Sequence, residues 1–224
     1  VGRVLTEPDP AWRKVGVLGG AFDPLHNGHL ALARGSLSCL GLDAVLFVPA
    51  ARPPHKQATV ASFHERLAMV AAVAASSPEF FVSDLEHLRS GPSYTVESLR
   101  FLKKHGGDGL ALSFLVGYDA FLDLPMWKEY EAIPRLAEVV VAGRAGVAFA
   151  PAVDMARAFP GYRQVEHNCW RGEGGGRISF IELVIPDLSS TRVRQVAAAG
   201  GDLSAMLPPE VLALLSRRNL YSAG

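Results

Sequence analysis

The sequence predicts an α/β fold built on a doubly wound parallel sheet, and three observations predict it. Short apolar runs of strand length, Val15–Leu18, Val45–Pro49 and Leu110–Gly117, alternate with longer stretches of helical period. The first two runs flank one helix-length segment, which is the spacing of a right-handed βαβ unit. The first run ends in Gly19-Gly20, at the end of a strand where open α/β sheets meet their ligands.

The elements follow in order. Val15-Gly16-Val17-Leu18 reads as a buried strand, and Leu30 to Leu40 as the helix after it. Val45–Pro49 is the second strand. Ala50 to Thr59 is a loop stiffened by Pro53 and Pro54, which projects His55 and Lys56 from the strand's C-terminal end. Phe63 to Ala75 is a helix and Phe80–Ser83 a strand. The next helix opens near Ser93 or Thr95, with Glu97 in its first turn, and ends by Gly106-Gly107. Leu110–Gly117 and Val139–Ala142 are further strands. Gly143 to Gly176 is the least legible stretch: Pro151 to Phe159 has helical character and Arg171 to Gly176 reads as a flexible loop. Ile178 to Ile185 alternates as a last strand, Leu188–Arg194 starts a helix, and Leu207 to Leu220 is helical after Pro208-Pro209.

The chain has 224 residues, 49% hydrophobic and 20% charged, which suits one well-buried domain. No internal repeat or linker divides it. Residues 1–14 are expected to be an N-terminal extension and 15–224 the domain, with a small helical subregion from about 187. Balanced charge, 22 basic against 22 acidic residues, argues against a nucleic-acid partner. Cys39 and Cys169 lack metal or disulfide-framework spacing, which fits a reducing cytoplasm. No apolar run approaches the ~20 residues that span a bilayer, so no membrane partner is expected. A homo-oligomer stays open.

The chemistry concentrates in Gly19-Gly20-Ala21-Phe22-Asp23-Pro24-Leu25-His26-Asn27-Gly28-His29. Glycines leaving a strand let backbone N–H groups approach a ligand closely, and the helix start beyond adds free donors and a positive dipole end. His26 and His29, three apart, put two imidazoles on one side of that turn. Strand, glycine turn, histidine pair and helix start together make a polyphosphate site. No third ligand stands at a familiar zinc spacing, so a protein metal site is not expected. Ser189-Ser190-Thr191-Arg192-Val193-Arg194 reads, by itself, as a capping signal, and Lys56 by itself as a solvated lysine.

GGxFDPxHxGH resembles the signature of the nucleotidyltransferases that include the nicotinate-nucleotide adenylyltransferases. Its His-Asn-Gly-His core is the HxGH element shared with class I aminoacyl-tRNA synthetases. The resemblance runs from about Val15 to Tyr221 and implies a Rossmann-like fold and adenylyl transfer from ATP, with Mg²⁺ accompanying the triphosphate. Pro53-Pro54-His55-Lys56 is similar to the family's phosphate-binding loop, although Ala50-Ala51-Arg52 lacks the asparagine that many relatives carry there. The Ser189–Arg194 stretch is similar to ISSTxIR. The resemblance therefore gives Gly19, Gly20, Ala21, Phe22, His26, His29, Lys56, Ser190, Thr191 and Arg194 to ATP, with His26, His29, Lys56 and Arg194 doing the catalytic work. Asp119, in a GxD turn, is either a nucleotide contact or a helix N-cap. Pro92-Ser93-Tyr94-Thr95 and Trp127 resemble the pocket for nicotinate mononucleotide, with Tyr94 and Thr95 beside the pyridine and Trp127 stacked on it; Lys128 stands where relatives often carry an aromatic. The expected reaction joins ATP and nicotinate mononucleotide into deamido-NAD and pyrophosphate. The rivals are another HxGH nucleotidyltransferase, acting on nicotinamide mononucleotide or phosphopantetheine, and a nucleotide-sensing module without turnover.

Overall fold

In the computed structural model, residues 4–54, 59–144 and 151–221 are described. Their strands are β1 (Val4–Leu5), β2 (Lys14–Gly20), β3 (Ala44–Pro49), β4 (Phe80–Ser83), β5 (Ala111–Gly117), β6 (Glu138–Arg144), β7 (Arg163–Glu166), β8 (Cys169–Arg171) and β9 (Arg177–Leu183). They form one sheet in the order β1-β4-β3-β2-β5-β6-β9-β8-β7. Every ladder from β1 to β9 is parallel, and only the β8 and β7 edge runs antiparallel. From β2 the order grows one way through β3 and β4 and the other way through β5 and β6. That reversal is a topological switch point, and it falls between β2 and β5.

The helices are α1 (Asn27–Leu40), α2 (Phe63–Ala75), α3 (Leu85–Leu88), α4 (Thr95–His105), α5 (Tyr118–Leu122), α6 (Ile133–Leu136), α7 (Pro151–Ala158), α8 (Ser190–Ala198) and α9 (Pro209–Arg218). Alternation along the strands divides the core into two layers. Val15, Val17, Leu46, Phe114 and Val141 face one way and pack with Val96, Leu99 and Leu102 of α4 and Met155 of α7. Leu18, Val45, Phe47, Leu115 and Val140 face the other way and pack with α1, α2, α8 and α9. Because both faces are covered, the central strands carry uninterrupted apolar runs; all six residues of β3 are buried. The doubly wound parallel sheet predicted from the apolar runs is therefore the observed one.

Local signals set several boundaries. Ser62 caps α2 in a reciprocal box: its hydroxyl accepts from the Glu65 N–H at 3.3 Å, and the Glu65 carboxylate accepts from the Ser62 N–H at 2.8 Å. Helix α1 stops at Gly41, whose left-handed φ of 59° returns its N–H to the Leu37 carbonyl. The α4 N-cap is Tyr94, so neither Ser93 nor Thr95 supplies a side-chain cap. Short elements escaped the sequence reading. Val4–Leu5 pairs with β4, and Trp12 packs edge-on to Phe81 at 4.6 Å between ring centroids. Gly143–Gly176 contributes the rest of β6, α7, and the β7–β8 pair that extends the sheet beyond β9.

Candidate active site

The β2–β5 ladder runs from Lys14↔Ala111 to Val17↔Phe114 and ends there. The strand ends beyond it, Leu18–Gly20 and Leu115–Gly117, border a cleft of about 820 Å³. Gly19, Gly20, Ala21, Phe22, His26, His29, Asp119, Trp127, Ser190, Thr191 and Arg194 all line it. Two segments 160 residues apart in sequence thus meet at the switch point, as the two signatures require.

His26 is the N-cap of α1, with extended backbone, and is buried. Its N–H donates to Nδ1 of His29 at 3.2 Å, and the two imidazoles stack at 3.8 Å between centroids. An accepted hydrogen bond at Nδ1 places the proton of a neutral His29 on Nε2, making that atom a donor. The Phe22 ring closes edge-on against His29 at 5.1 Å. A Cβ at Gly28 would lie 3.0 Å from the His26 ring, so glycine is what lets this imidazole sit down on the helix start.

The second signature docks onto the first. Ser189 caps α8 by accepting the Arg192 N–H at 3.2 Å. The Ser190 hydroxyl donates to the Pro24 carbonyl at 2.9 Å, and Arg194 donates to the Asp23 carbonyl at 2.7 Å and to the Thr191 hydroxyl at 3.3 Å. Arg194 also lies 3.7 Å from the Asp23 carboxylate. The hydroxyl cluster is a cap, as its default reading holds, and it also fastens one helix start to the other.

Asp119 resolves differently from one of its two readings. Gly117, not Asp119, is the N-cap of α5, and Asp119 stands exposed in the first helical turn on the cleft wall. Lys56 and His55 lie outside the described residues.

The expected pyridine side is only partly assembled. Trp127 reaches the cleft and meets Phe114 edge-on at 6.1 Å. Tyr94 and Thr95 are half-buried but are absent from the cleft lining. The Lys128 ammonium sits over the Tyr94 ring at 4.5 Å while pairing with Glu97 at 2.6 Å. The Ala50–Arg52 loop connects to this side through Arg52 and Ser93: the Arg52 N–H donates to the Ser93 hydroxyl at 3.0 Å and the Ser93 N–H to the Arg52 carbonyl at 2.9 Å.

Comparison with known proteins agrees with this architecture. Residues 17–196 match the family model described as cytidylyltransferase-like. A curated relative from Syntrophotalea carbinolica, named "Probable nicotinate-nucleotide adenylyltransferase", is 38% identical over 216 residues, covering 93% of this chain and 97% of its own. A relative of the same name from Synechococcus sp. is 38% identical and is covered over 99% of its length. This chain belongs to the nicotinate-nucleotide adenylyltransferase family. The fold also matches the Plasmodium falciparum nicotinic acid mononucleotide adenylyltransferase complexed with NaAD, with a TM-score of 0.71, 19% identity, and coverage of 93% of this chain and 97% of that one.

In this nicotinate-nucleotide adenylyltransferase relative, sequence reasoning missed the buried support beneath the signature. Asp23 is 4% exposed and its carboxylate accepts four contacts' worth of order: the Val60 N–H at 2.9 Å, the Ala61 N–H at 3.0 Å, the Tyr221 hydroxyl at 2.7 Å, and the Arg194 charge. Arg66, fully buried on α2, donates to the Ala21 carbonyl at 2.6 Å and the Ala61 carbonyl at 3.3 Å. Burial pushes the Arg66 guanidinium below its ordinary value, and the negative charge of Asp23 acts against that. One signal was available for Arg66: an arginine on the apolar face of an amphipathic helix, four residues after its cap. Tyr221, near the end of the sequence, gave none.

Proposed function

We propose that this chain transfers AMP from ATP to nicotinate mononucleotide, giving deamido-NAD and pyrophosphate. The observation that carries the reading is the meeting of both signatures in one cleft at the switch point, in a chain that matches its relatives over nearly their whole length. A 5′-phosphate oxygen of the mononucleotide forms a new bond to the α-phosphorus of ATP, in line with the bridging oxygen that leaves on pyrophosphate. The nucleophile is already ionised near neutral pH, so no base is required, and positioning with charge stabilisation lowers the barrier. His26 and His29 supply imidazole donors to the triphosphate; the donor at Nε2 of His29 is held by the backbone bond at its other nitrogen. Ser190, Thr191, Arg194 and the Gly19–Phe22 backbone bind phosphate, Lys56 adds a cation from the preceding loop, and Asp119 contacts a nucleotide. Trp127 stacks on the pyridine, with Tyr94 and Thr95 closing that side.

Among the described residues no group of three His, Cys, Asp or Glu could hold a metal ion, and both oxygens of Asp23 are engaged. Mg²⁺ enters this reading with ATP, because β,γ-phosphates usually carry it. The reading carries a cytoplasmic setting, consistent with free Cys39 and Cys169, and small-molecule partners without nucleic acid; the helices described include none long and apolar enough to cross a membrane. Residues 15–224 act as one domain, with the α8–α9 region as its helical part.

The deciding experiment measures pyrophosphate release from ATP with nicotinate mononucleotide and nicotinamide mononucleotide side by side. Preference for the acid is expected. Preference for the amide would keep the chemistry and overturn the assignment of Trp127 and its neighbours. Release with neither would overturn the reaction.

A further inference from the structure

The buried hydroxyl of Tyr221 has no part in the proposed mechanism above. It is 8% exposed, in the α2–α9 side of the core, and donates to Asp23 Oδ1 at 2.7 Å across 198 residues of sequence. The chain is bent to deliver it. Helix α9 ends at Asn219 with φ 50°, and Tyr221 itself holds φ 66°, a left-handed conformation that bulky residues seldom adopt. Burial and the neighbouring Asp23 charge raise the Tyr221 phenol far above its ordinary value, so it stays a donor at every working pH.

The other partners of Asp23 belong to the two walls of the cleft. On one side its oxygens hold the Val60 and Ala61 N–H groups, which end the loop between β3 and α2. On the other, the same residue receives Arg194 through both its carbonyl and its carboxylate. Arg66 bonds the Ala61 carbonyl of the same loop end and the Ala21 carbonyl of the glycine turn. Asp23 is the node between the glycine turn, the loop and α8, and its rotamer decides where Arg194 and the loop end stand. With the Tyr221 hydroxyl in place, Oδ1 has two donors converging on it; without that hydroxyl only the Ala61 N–H remains.

We propose that Tyr221 is a positioning residue for the triphosphate, acting through Asp23 to hold Arg194 and the Val60–Ala61 turn in the arrangement that receives ATP. The inference rests on the assignment of this cleft to ATP. It makes the segment after α9 part of the nucleotide site, although Tyr221 does not itself line the cleft.

The test is Tyr221→Phe, which keeps the ring in the core and removes only the hydroxyl. ATP affinity is measured by calorimetry without the mononucleotide, and the KM for each substrate is measured in the full reaction. Affinity for ATP is expected to weaken about tenfold, as for loss of a hydrogen bond to a charged group, while the KM for nicotinate mononucleotide holds. The hydroxyl deletion is then repeated in an Asp23→Asn background, where the phenol no longer meets a charge; there its effect should shrink to about twofold. Unchanged ATP affinity in Tyr221→Phe, an equal rise in both KM values, or a full-sized effect in the Asn background would each overturn the proposal. If the parent protein turns over neither mononucleotide, the reaction falls, and the ATP titration of parent against Tyr221→Phe still decides this point.

Discussion

The two halves of the cleft are built on different physics. The half proposed for phosphate is held by bonds to buried groups: Asp23, Arg66, Tyr221 and His26 are all at most 8% exposed, and backbone carbonyls of the signature accept directly from Ser190 and Arg194. The side carrying Tyr94, Thr95 and Trp127 rests on the buried apolar face of α4, and its ion pairs, Lys128 with Glu97 at 2.6 Å and Arg100 with Glu129 at 2.5 Å, lie toward solvent. Exposed pairs contribute little to stability and are screened by salt, whereas a buried, multiply bonded carboxylate fixes one geometry. Under the proposed reading the two halves do different work. A reaction limited by the placement of charge calls for the rigid half, and a flat ring that must enter and leave suits the adjustable one.

The largest effect that would sharpen this contrast is at His29. His29→Ala removes a donor in the rigid half and is expected to lower kcat by about 10²–10³-fold, the usual cost of deleting a preorganised donor, with the KM for nicotinate mononucleotide little moved. Steady-state kinetics with each substrate varied would show it. Near-parental turnover would break the contrast at its strongest point, because the imidazole held by the His26 N–H would then contribute nothing to rate.

A smaller and differently shaped effect is expected at Trp127. Trp127→Ala removes a ring that a pyridinium would stack on, a contact worth about 0.5–2 kcal/mol. The KM for nicotinate mononucleotide should rise about twofold to thirtyfold by that energy, while kcat and the KM for ATP hold. A fall in kcat without a change in KM would mean that this half also positions the reacting atoms, and the division of labour would fail.

The same division explains what the sequence made legible. The apolar strands announce themselves because burial on both faces leaves no polar interruption, and the two signatures because glycine, histidine and hydroxyl residues stand at fixed offsets from a strand end and a helix start. Lys128, standing where an aromatic is common, marked the adjustable half as departing from its relatives, and the structure finds its ammonium over Tyr94. The support of the phosphate half was hidden. Asp23 was visible as a letter of the motif, but its bonds to Val60, Ala61 and Tyr221 are long-range, and no local period encodes them. β1, β7 and β8 span two to four residues and, unlike β4 of similar length, carry no apolar run of strand length to mark them.

The smallest expected effect concerns Glu86, an acidic side chain buried behind the adjustable half, at 7% exposure. It accepts a 2.5 Å bond from the Ser98 hydroxyl of α4, which also accepts from Arg89 at 3.0 Å. Burial raises its carboxyl above the ordinary value of 4.5, more than the Ser98 bond and the Arg89 charge lower it. The folded chain therefore binds this proton more tightly than the unfolded chain does. Its contribution to stability is fully present below pH 4.5 and is lost as pH rises through the elevated folded value. Glu86→Gln keeps an acceptor for Ser98 and removes the charge, so the variant should unfold at higher urea than the parent near pH 7, and the gap should close as the pH falls toward 4.5. A gap that stays constant with pH would mean that the glutamate is charged in the folded state and satisfied by Arg89 and Ser98. The base of α4 would then be anchored by a buried ionic network of the kind seen under the glycine turn, and the contrast between the two halves would stop at the exposed Lys128 and Glu129 pairs.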